Sequence, residues 1–512
     1  MIKETFPLHQ EIALTATLTD CLVDNFNREE IVYSHWKSNV DLAQAAAGEI
    51  DLDLLVDRKS LPPALTILST LGFKAVVARW GANPPGIRHF YGFDPDSQQL
   101  IHVHLFSRVL TGESFVKSHL FPFETMLLEN VYYSRQIRVT SRPAELVLFT
   151  LRMFVKYGSM LDLLYLRRKS ENLKVEIRWL QDGSDLSETL SLLRKYCPVI
   201  DEPLFIKCIE SLNSDSSLIS RIVLARQVRR RLKVYARHTF FRRFLAYSQL
   251  LWAEGQRRLG TKQKNKVLQA GGTVIAFVGA EATGKSTLVT ETGRWLGSTF
   301  AVRTVHAGKP PSTWLTAPLS LFLPLIRRRL SSLRTNRLEG HSTSAQANPS
   351  PDKNKGLAAL VYALRSVILA WERRQLLVRA RRAAANGEIV ICDRFPSDTI
   401  GAMDSPRLRE QPTQQGVVSA IFNWLARFEQ RLYKQIPAPD IVLRLNVSIE
   451  AALQRNRERF KPGKESDAYV ASRHRQAREW HKSGTRYIYD VNTEQSLTDT
   501  VLCVKKAIWE SL

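Results

Sequence analysis

Residues 279–286 read Gly279-Ala280-Glu281-Ala282-Thr283-Gly284-Lys285-Ser286, a complete G-x-x-x-x-G-K-[ST] pattern directly behind the apolar run Val274-Ile275-Ala276-Phe277-Val278. A buried strand, a tight glycine-flanked loop and a helix opening into Thr287-Leu288-Val289 must follow one another there. That commits this part of the chain to an α/β fold with the strand inside a sheet. The glycines let successive backbone N–H groups converge on one point, and the helix N-terminus adds the positive end of its dipole. The spacing therefore predicts a phosphate cradle formed by Gly279, Ala280, Glu281, Ala282, Thr283, Gly284 and Thr287. In it Lys285 supplies a cation for the β- and γ-phosphates and the Ser286 hydroxyl a ligand for Mg²⁺, so ATP with Mg²⁺ is the expected occupant.

About a hundred residues later, Glu388-Ile389-Val390-Ile391-Cys392 has the composition of a second buried strand and delivers Asp393-Arg394-Phe395-Pro396 at its carboxyl end. In an open parallel sheet, ligands bind at that end. Asp393 is thereby placed to orient the metal or a phosphoryl acceptor, and Arg394 to spread the charge of the transferring group. A plain strand-ending ion pair is the competing explanation for the same two residues. Cys392, next in line, reads as a buried strand residue rather than a reactive thiol.

From about Gly271 to Leu512 the chain resembles the thymidylate kinase-like branch of P-loop nucleoside monophosphate kinases. The phosphate loop matches, with Glu281 where the family usually has Asp, and Asp393-Arg394-Phe395 looks like the family's D-R-[YF] motif. Glu372-Arg373, with Arg374 beside it on a helix expected over 357–385, is similar to the acidic-Arg pair that grips the acceptor's phosphate. Pro437-Ala438-Pro439-Asp440 and the strand Ile441–Leu445 look like the family's P-D-x-x-x-x-L segment. The arginine-bearing stretch after it, with Arg455, Arg457 and Arg459 leading into Lys461-Pro462-Gly463-Lys464-Glu465, resembles the mobile lid whose arginines close on ATP. The resemblance implies that Arg373 and Arg394 bind the acceptor phosphate and that Arg455 and Arg459 close over the transfer. The segment Pro396–Arg407 departs from the family's thymine-seating pattern, so the chemistry is better carried than thymidylate as its substrate.

The front of the chain carries a different pattern. Ile31–Asn39 leads through a short helix to Gly48-Glu49-Ile50-Asp51-Leu52-Asp53-Leu54-Leu55-Val56, and strand alternation puts Asp51 and Asp53 on one face. Paired carboxylates so placed are what Mg²⁺ needs to bridge nucleotide phosphates to an attacking hydroxyl. The arrangement resembles the nucleotidyltransferase superfamily, with Lys37-Ser38 in place of its Gly-Ser turn. The order expected next is helix (62–71), strand (73–78), strand (89–93) and strand (100–106). Where that family carries a third carboxylate, Ile101-His102-Val103-His104-Leu105 offers two histidines on one face, either ligands or ordinary polar strand positions.

Charge divides the chain unevenly. The total is +24, yet residues 1–150 hold 13 Lys/Arg against 17 Asp/Glu. Residues 221–266 hold 14 Lys/Arg and one acid, Glu254, interleaved with Val234, Tyr235, Phe240, Phe241, Phe244 and Leu251 at helical spacing. Such a basic amphipathic stretch suits an anionic membrane surface, nucleic acid, or plain solvation on a helical connector; the apolar half favours the membrane over nucleic acid. No stretch reaches the roughly 20 apolar residues of a membrane span, and Met1-Ile2-Lys3-Glu4 lacks a signal peptide's core. A cytoplasmic protein, peripheral at the inner membrane face, is the expectation. Five scattered cysteines without C-x-x-C argue against a zinc site or a disulfide framework.

The expected organisation is a nucleotidyltransferase-like α+β domain at 1–140, a basic helical connector at 141–270 and a P-loop kinase-like α/β domain at 271–512, with a disordered Gly/Ser/Pro-rich loop at 336–356. The expected function is ATP- and Mg²⁺-dependent phosphoryl transfer to a nucleoside monophosphate or similar phosphorylated acceptor. Two alternatives stand beside it: an ATP-binding regulatory or scaffold protein at the membrane tied to cell-surface polysaccharide production, and a nucleotidyltransferase acting on nucleic acid. Acceptor and oligomeric state are not legible.

Overall fold

The computed structural model describes residues 17–79, 83–112, 117–156, 170–213, 218–238, 248, 266–308, 310–311, 353–400, 402–411, 416–458, 466–477 and 480–512. The chain divides into two compact units, Met1–Lys264 and Asn265–Leu512. Most of the loop expected at 336–356, most of the basic stretch beyond His238, and the lid residues from Arg459 to Glu465 lie outside the described residues.

In the first unit the strands are β1 (Tyr33–His35), β2 (Leu52–Val56), β3 (Lys74–Ala78), β4 (Ile87–Asp94), β5 (Gln99–Phe106), β6 (Val109–Thr111), β7 (His119–Phe121), β8 (Val131–Ser134) and β9 (Ile137–Thr140). Its main sheet runs β3-β4-β5-β2-β1-β9-β8. Pairing is mixed: β2 lies parallel to β5 and antiparallel to β1. Alternation sorts the side chains cleanly. Leu52, Leu54 and Val56 join Ile101, Val103 and Leu105 in a core beneath the helices Leu18–Arg28 and Leu61–Thr70. Leu55 and Phe106 project to the opposite face, into a second core, and Asp53 and His104 share their parity on the two strands.

Within the connector expected at 141–270, described residues from 142 to 231 contribute to that second core and belong to the first compact unit. Helix Arg142–Lys156 buries Ala144, Val147, Leu148, Leu151 and Val155 against Trp36, Leu55 and Phe106, and the helices Leu186–Tyr196, Glu202–Asn213 and Leu218–Arg231 complete the same cluster. One arginine of the basic run is spent against this packing, Arg229 donating to the Val155 carbonyl at 2.5 Å, while Arg231 pairs with Asp201 at 3.2 Å on the surface.

The second unit has β10 (Lys266–Leu268), β11 (Thr273–Gly279), β12 (Val302–His306), β13 (Ile389–Asp393), β14 (Ile441–Asn446) and β15 (Tyr487–Asn492). Five of these form a sheet in the order β12-β13-β11-β14-β15, parallel throughout. Val274, Ala276 and Val278 face a core shared with helices Lys353–Ala385 and Val417–Lys434. Helices Lys285–Gly297 and Leu497–Ser511 pack together beside the sheet, Trp295 meeting Trp509 at 6.2 Å. Because β12 and β13 lie on one side of β11 and β14 on the other, the chain reverses its winding at β11 and opens a crevice at that strand's carboxyl end. Among the described residues no helix is long and apolar enough to cross a membrane.

Candidate functional sites

The β11 strand ends in the phosphate loop, whose backbone needs glycine where the sequence supplies it. Gly279 has φ 150° and a Cβ there would stand 2.7 Å from the Leu445 carbonyl oxygen; Gly284 has φ 82°. Ala282 holds φ 63° without that freedom. The Lys285 ammonium is buried against the loop, donating to the carbonyls of Gly279 (3.0 Å) and Ala280 and to Thr283 Oγ1 (3.3 Å). Burial lowers its pKa to about 8, Arg394 adds to the lowering, and Glu281, Asp393 and Asp404 pull the other way. Those five groups therefore share one electrostatic neighbourhood.

Asp393 closes β13, opposite Phe277 of β11. Its Oδ2 meets His306 Nδ1 at 3.0 Å, while its Oδ1 is buried without a hydrogen-bond partner; Glu281 Oε2 is buried in the same condition. Two such carboxylate oxygens around a phosphate loop fit a hard cation. Mg²⁺ needs only one or two carboxylates when a hydroxyl, phosphates and water complete its shell. Ser286 offers that hydroxyl from an exposed position in the helix's first turn. Among the described residues there is no cluster of three His, Cys, Asp or Glu that could hold a metal unaided.

Arg394 carries φ 71° and anchors itself by its N–H to the Phe277 carbonyl at 3.0 Å. Its guanidinium lies 3.4 Å from Asp404 Oδ2 and 3.9 Å from Glu281 Oε1, and it borders a small cleft of about 30 Å³ with Gly279, Met403, Arg473 and Trp480. Arg373 behaves differently from the sequence expectation. It is 1% exposed, and its donors go to Ala307 O (2.9 Å), Gly308 O (3.1 Å), Asp404 O (2.9 Å), Asp404 Oδ1 (2.7 Å) and Tyr433 Oη (2.7 Å). A guanidinium has five N–H donors, so none is left for an acceptor phosphate. Arg373 is an internal strut that fixes Asp404, and Arg374 stacks over Trp371.

The lid arginines are brought in only in part. Helix Ile449–Glu458 reaches the loop through Ala452 against Ala282, but Arg455 is committed to Thr493, donating to its carbonyl at 2.5 Å and approaching Oγ1 at 3.3 Å. Arg459 lies outside the described residues. Sequence reasoning missed Asp404 and His474. Asp404, buried at φ 63°, bridges Arg373 and Arg394; the Asp404-Ser405-Pro406 turn signal was its only trace. His474 donates to the Glu281 carbonyl at 2.8 Å and so ties helix Asp467–Ala477 to the loop. Cys392 is fully buried, and burial together with Asp393 pushes its thiol pKa far up, so it is inert.

In the first unit, Asp53 projects from β2 into a cavity of about 670 Å³. Lys37 Nζ stands 2.9 Å from Asp53 Oδ1 and His104 Nδ1 3.0 Å from the same oxygen; His102 Nδ1 lies 2.6 Å from Asp51 Oδ1. Burial alone would raise the Asp53 pKa, but the Lys37 charge and the His104 contact outweigh it and hold the carboxyl well below its ordinary range. Burial lowers His104 to about 4, so the ring is neutral near pH 7. Lys37 thus already stands where a cation would neutralise Asp53, while Asp53 Oδ1 makes no well-aligned hydrogen bond and Asp51 is exposed. A two-ion site on Asp51 and Asp53, as expected from the sequence, requires Lys37 to move aside.

No known family model matches the chain. It is 27% identical over 186 residues, 36% of its own length and 68% of the relative's, to the "uncharacterized ATP-binding protein YghR" of Escherichia coli K12, and equally to that protein in a second Escherichia coli strain. Among solved structures it is similar to deoxyadenosine kinase from M. mycoides with bound dATP, at 15% identity and a TM-score of 0.27 over 46% of this chain and 98% of the other. The same enzyme with dCTP gives 14%, 0.27, 47% and 100%. The second unit's own parallel sheet and loop make it a P-loop nucleotide-binding fold.

Proposed function

We propose that the second unit is an ATP- and Mg²⁺-dependent phosphotransferase acting on a nucleoside monophosphate or a similarly phosphorylated acceptor. The observation that carries this is the buried Lys285 ammonium in its loop at the winding reversal of the sheet, with the unpartnered Asp393 Oδ1 and the Arg394 guanidinium in the same crevice. Loop N–H groups and Lys285 bind the phosphates of ATP. Ser286 and Asp393 would hold Mg²⁺, which supplies charge neutralisation for the phosphoryl group in flight. Arg394, held by Asp404 and Glu281, faces the region where that charge develops. The ATP-binding description of the Escherichia coli relative agrees with this assignment.

A second reading, an ATP-binding regulator, is favoured by one observation. All Arg373 donors are engaged, and the 30 Å³ cleft beside Arg394 is far smaller than a nucleotide site of some 300 Å³ or more. For the first unit, we infer a nucleotidyltransferase-like frame, supported by the parallel β2–β5 pair that sets His104 opposite Asp53. Incubating the protein with Mg-ATP and a panel of nucleoside monophosphates separates the two readings of the second unit. Nucleoside diphosphate formation that disappears in Lys285→Ala supports the phosphotransferase; saturable ATP binding with no product from any acceptor supports the regulator.

A further inference from the structure

The cavity of the first unit collects cations from three separate stretches of chain. Lys37 follows β1, Lys117 precedes β7, and Arg152 and Lys156 lie one turn apart on helix Arg142–Lys156. Their mutual repulsion is felt: burial lowers Lys117 to about 7, and Lys37, Arg152 and Lys156 all contribute in the same direction. The opposing acids are placed to leave this floor positive. Asp41, Glu49 and Asp51 are exposed at the rim, and Asp53 is taken up by Lys37 and His104. Glu145, on that same helix Arg142–Lys156, and Glu176, on helix Ser170–Asp182, are biased by burial toward the neutral form, although Arg152 and Lys156 act on Glu176 in the opposite direction. Two buried donors, Arg152 Nε and Trp36 Nε1, have no hydrogen-bond partner. Donors without acceptors and ammonium groups crowded into a cavity of about 670 Å³, ample for a small ligand, call for an anion with several oxygens.

We propose that this cavity binds an oligophosphate chain, as in a nucleoside triphosphate, without any divalent cation. Lys37, balanced on Asp53, supplies the charge that a metal ion would otherwise bring, and Lys117, Arg152 and Lys156 receive the remaining phosphate oxygens. Binding here is independent of the loop at Lys285, so the inference stands or falls apart from the phosphotransferase assignment.

The test is calorimetry on the full chain carrying Lys285→Ala, in EDTA, with inorganic tripolyphosphate and each of ATP, GTP, CTP and UTP. Binding in EDTA is expected, weakened roughly 10- to 100-fold by Lys117→Met and by Arg152→Met, each removing one charged donor. Lys156→Met, one turn along the same helix from Arg152, provides a second variant checked for folding by circular dichroism should either of the others unfold, and is expected to weaken binding in the same direction. Tighter binding of one nucleotide than of tripolyphosphate assigns the site to that nucleotide; equal binding assigns it to the phosphate chain alone. The proposal is overturned if neither class binds in EDTA, or if binding requires added Mg²⁺ and is lost in Asp51→Asn with Asp53→Asn while the Lys117 and Arg152 variants bind normally.

Discussion

Replacing Arg373 by Met distinguishes a strut from a substrate ligand. The native guanidinium makes five hydrogen bonds in a 1% exposed setting, two of them to the buried Asp404. Met replaces only the aliphatic stem and leaves three carbonyls, the Tyr433 hydroxyl and one carboxylate oxygen without this donor. Arg394 still faces the other Asp404 oxygen at 3.4 Å, so the carboxylate keeps one counter-charge. Breaking one side of a buried pair costs about 3–5 kcal/mol. In a unit of this size 1 kcal/mol moves the midpoint by about 2–4 °C, so a drop on the order of 10 °C is expected. Differential scanning calorimetry on the full chain, with urea unfolding beside it, reads the change. A variant that melts within about 2 °C of the parent, near the noise of one such increment, and is impaired only in its KM for a phosphorylated acceptor would refute the strut and restore Arg373 to the phosphate site.

Three further outcomes follow from the geometry. Gly272→Ala places a Cβ 1.9 Å from the Glu388 carbonyl oxygen, a backbone contact that cannot rotate away, so a loss of about 3 kcal/mol in urea unfolding is expected; an unchanged midpoint would mean the chain relaxes there freely. Native alkylation with iodoacetamide should label exposed Cys503 and leave buried Cys392 untouched, and labelling of Cys392 by mass spectrometry before Cys503 would contradict its burial. Glu145 is raised by burial and by Glu176 from 4.5 to about 8, so the stability it lends is full below about 4.5 and is lost as pH rises through 8. The first unit should weaken across that window, and Glu145→Gln, which cannot ionise, should flatten the slope; identical pH profiles would remove Glu145 from the account.

What the sequence disclosed was local. The phosphate loop is specified within eight residues, and strands with a continuous apolar run were placed within one or two residues: 274–278 expected against Thr273–Gly279, and 100–106 against Gln99–Phe106. Alternation was enough to put Asp51 with Asp53 and His102 with His104 on common faces. What it hid was long-range. The partners that saturate Arg373 lie 66, 65, 31 and 60 residues away, and nothing in Glu372-Arg373 distinguishes a phosphate ligand from a buried strut. Net charge was a poor guide within the connector expected at 141–270, because a helix such as Leu218–Arg231 can carry five arginines while burying Ala225 and Val228.

On the proposals made above, the two units would hold many negative oxygens with opposite chemistry. At the loop, Lys285 is one buried cation among Glu281, Asp393 and Asp404, and the carboxylate oxygens left without partners leave room for an added positive ion. In the first unit Lys37 and His104 already stand 2.9 and 3.0 Å from Asp53 Oδ1, and Arg152 Nε and Trp36 Nε1 lack partners, although Asp53 Oδ1 and Glu176 Oε1 make no well-aligned hydrogen bond either. An unpartnered buried oxygen is relieved by a cation and an unpartnered buried N–H by an anion. Divalent metal should accordingly strengthen nucleotide binding at the loop and leave binding in the first unit unimproved, a contrast that separate calorimetric titrations of Lys285→Ala and Lys117→Met chains, with and without Mg²⁺, would resolve.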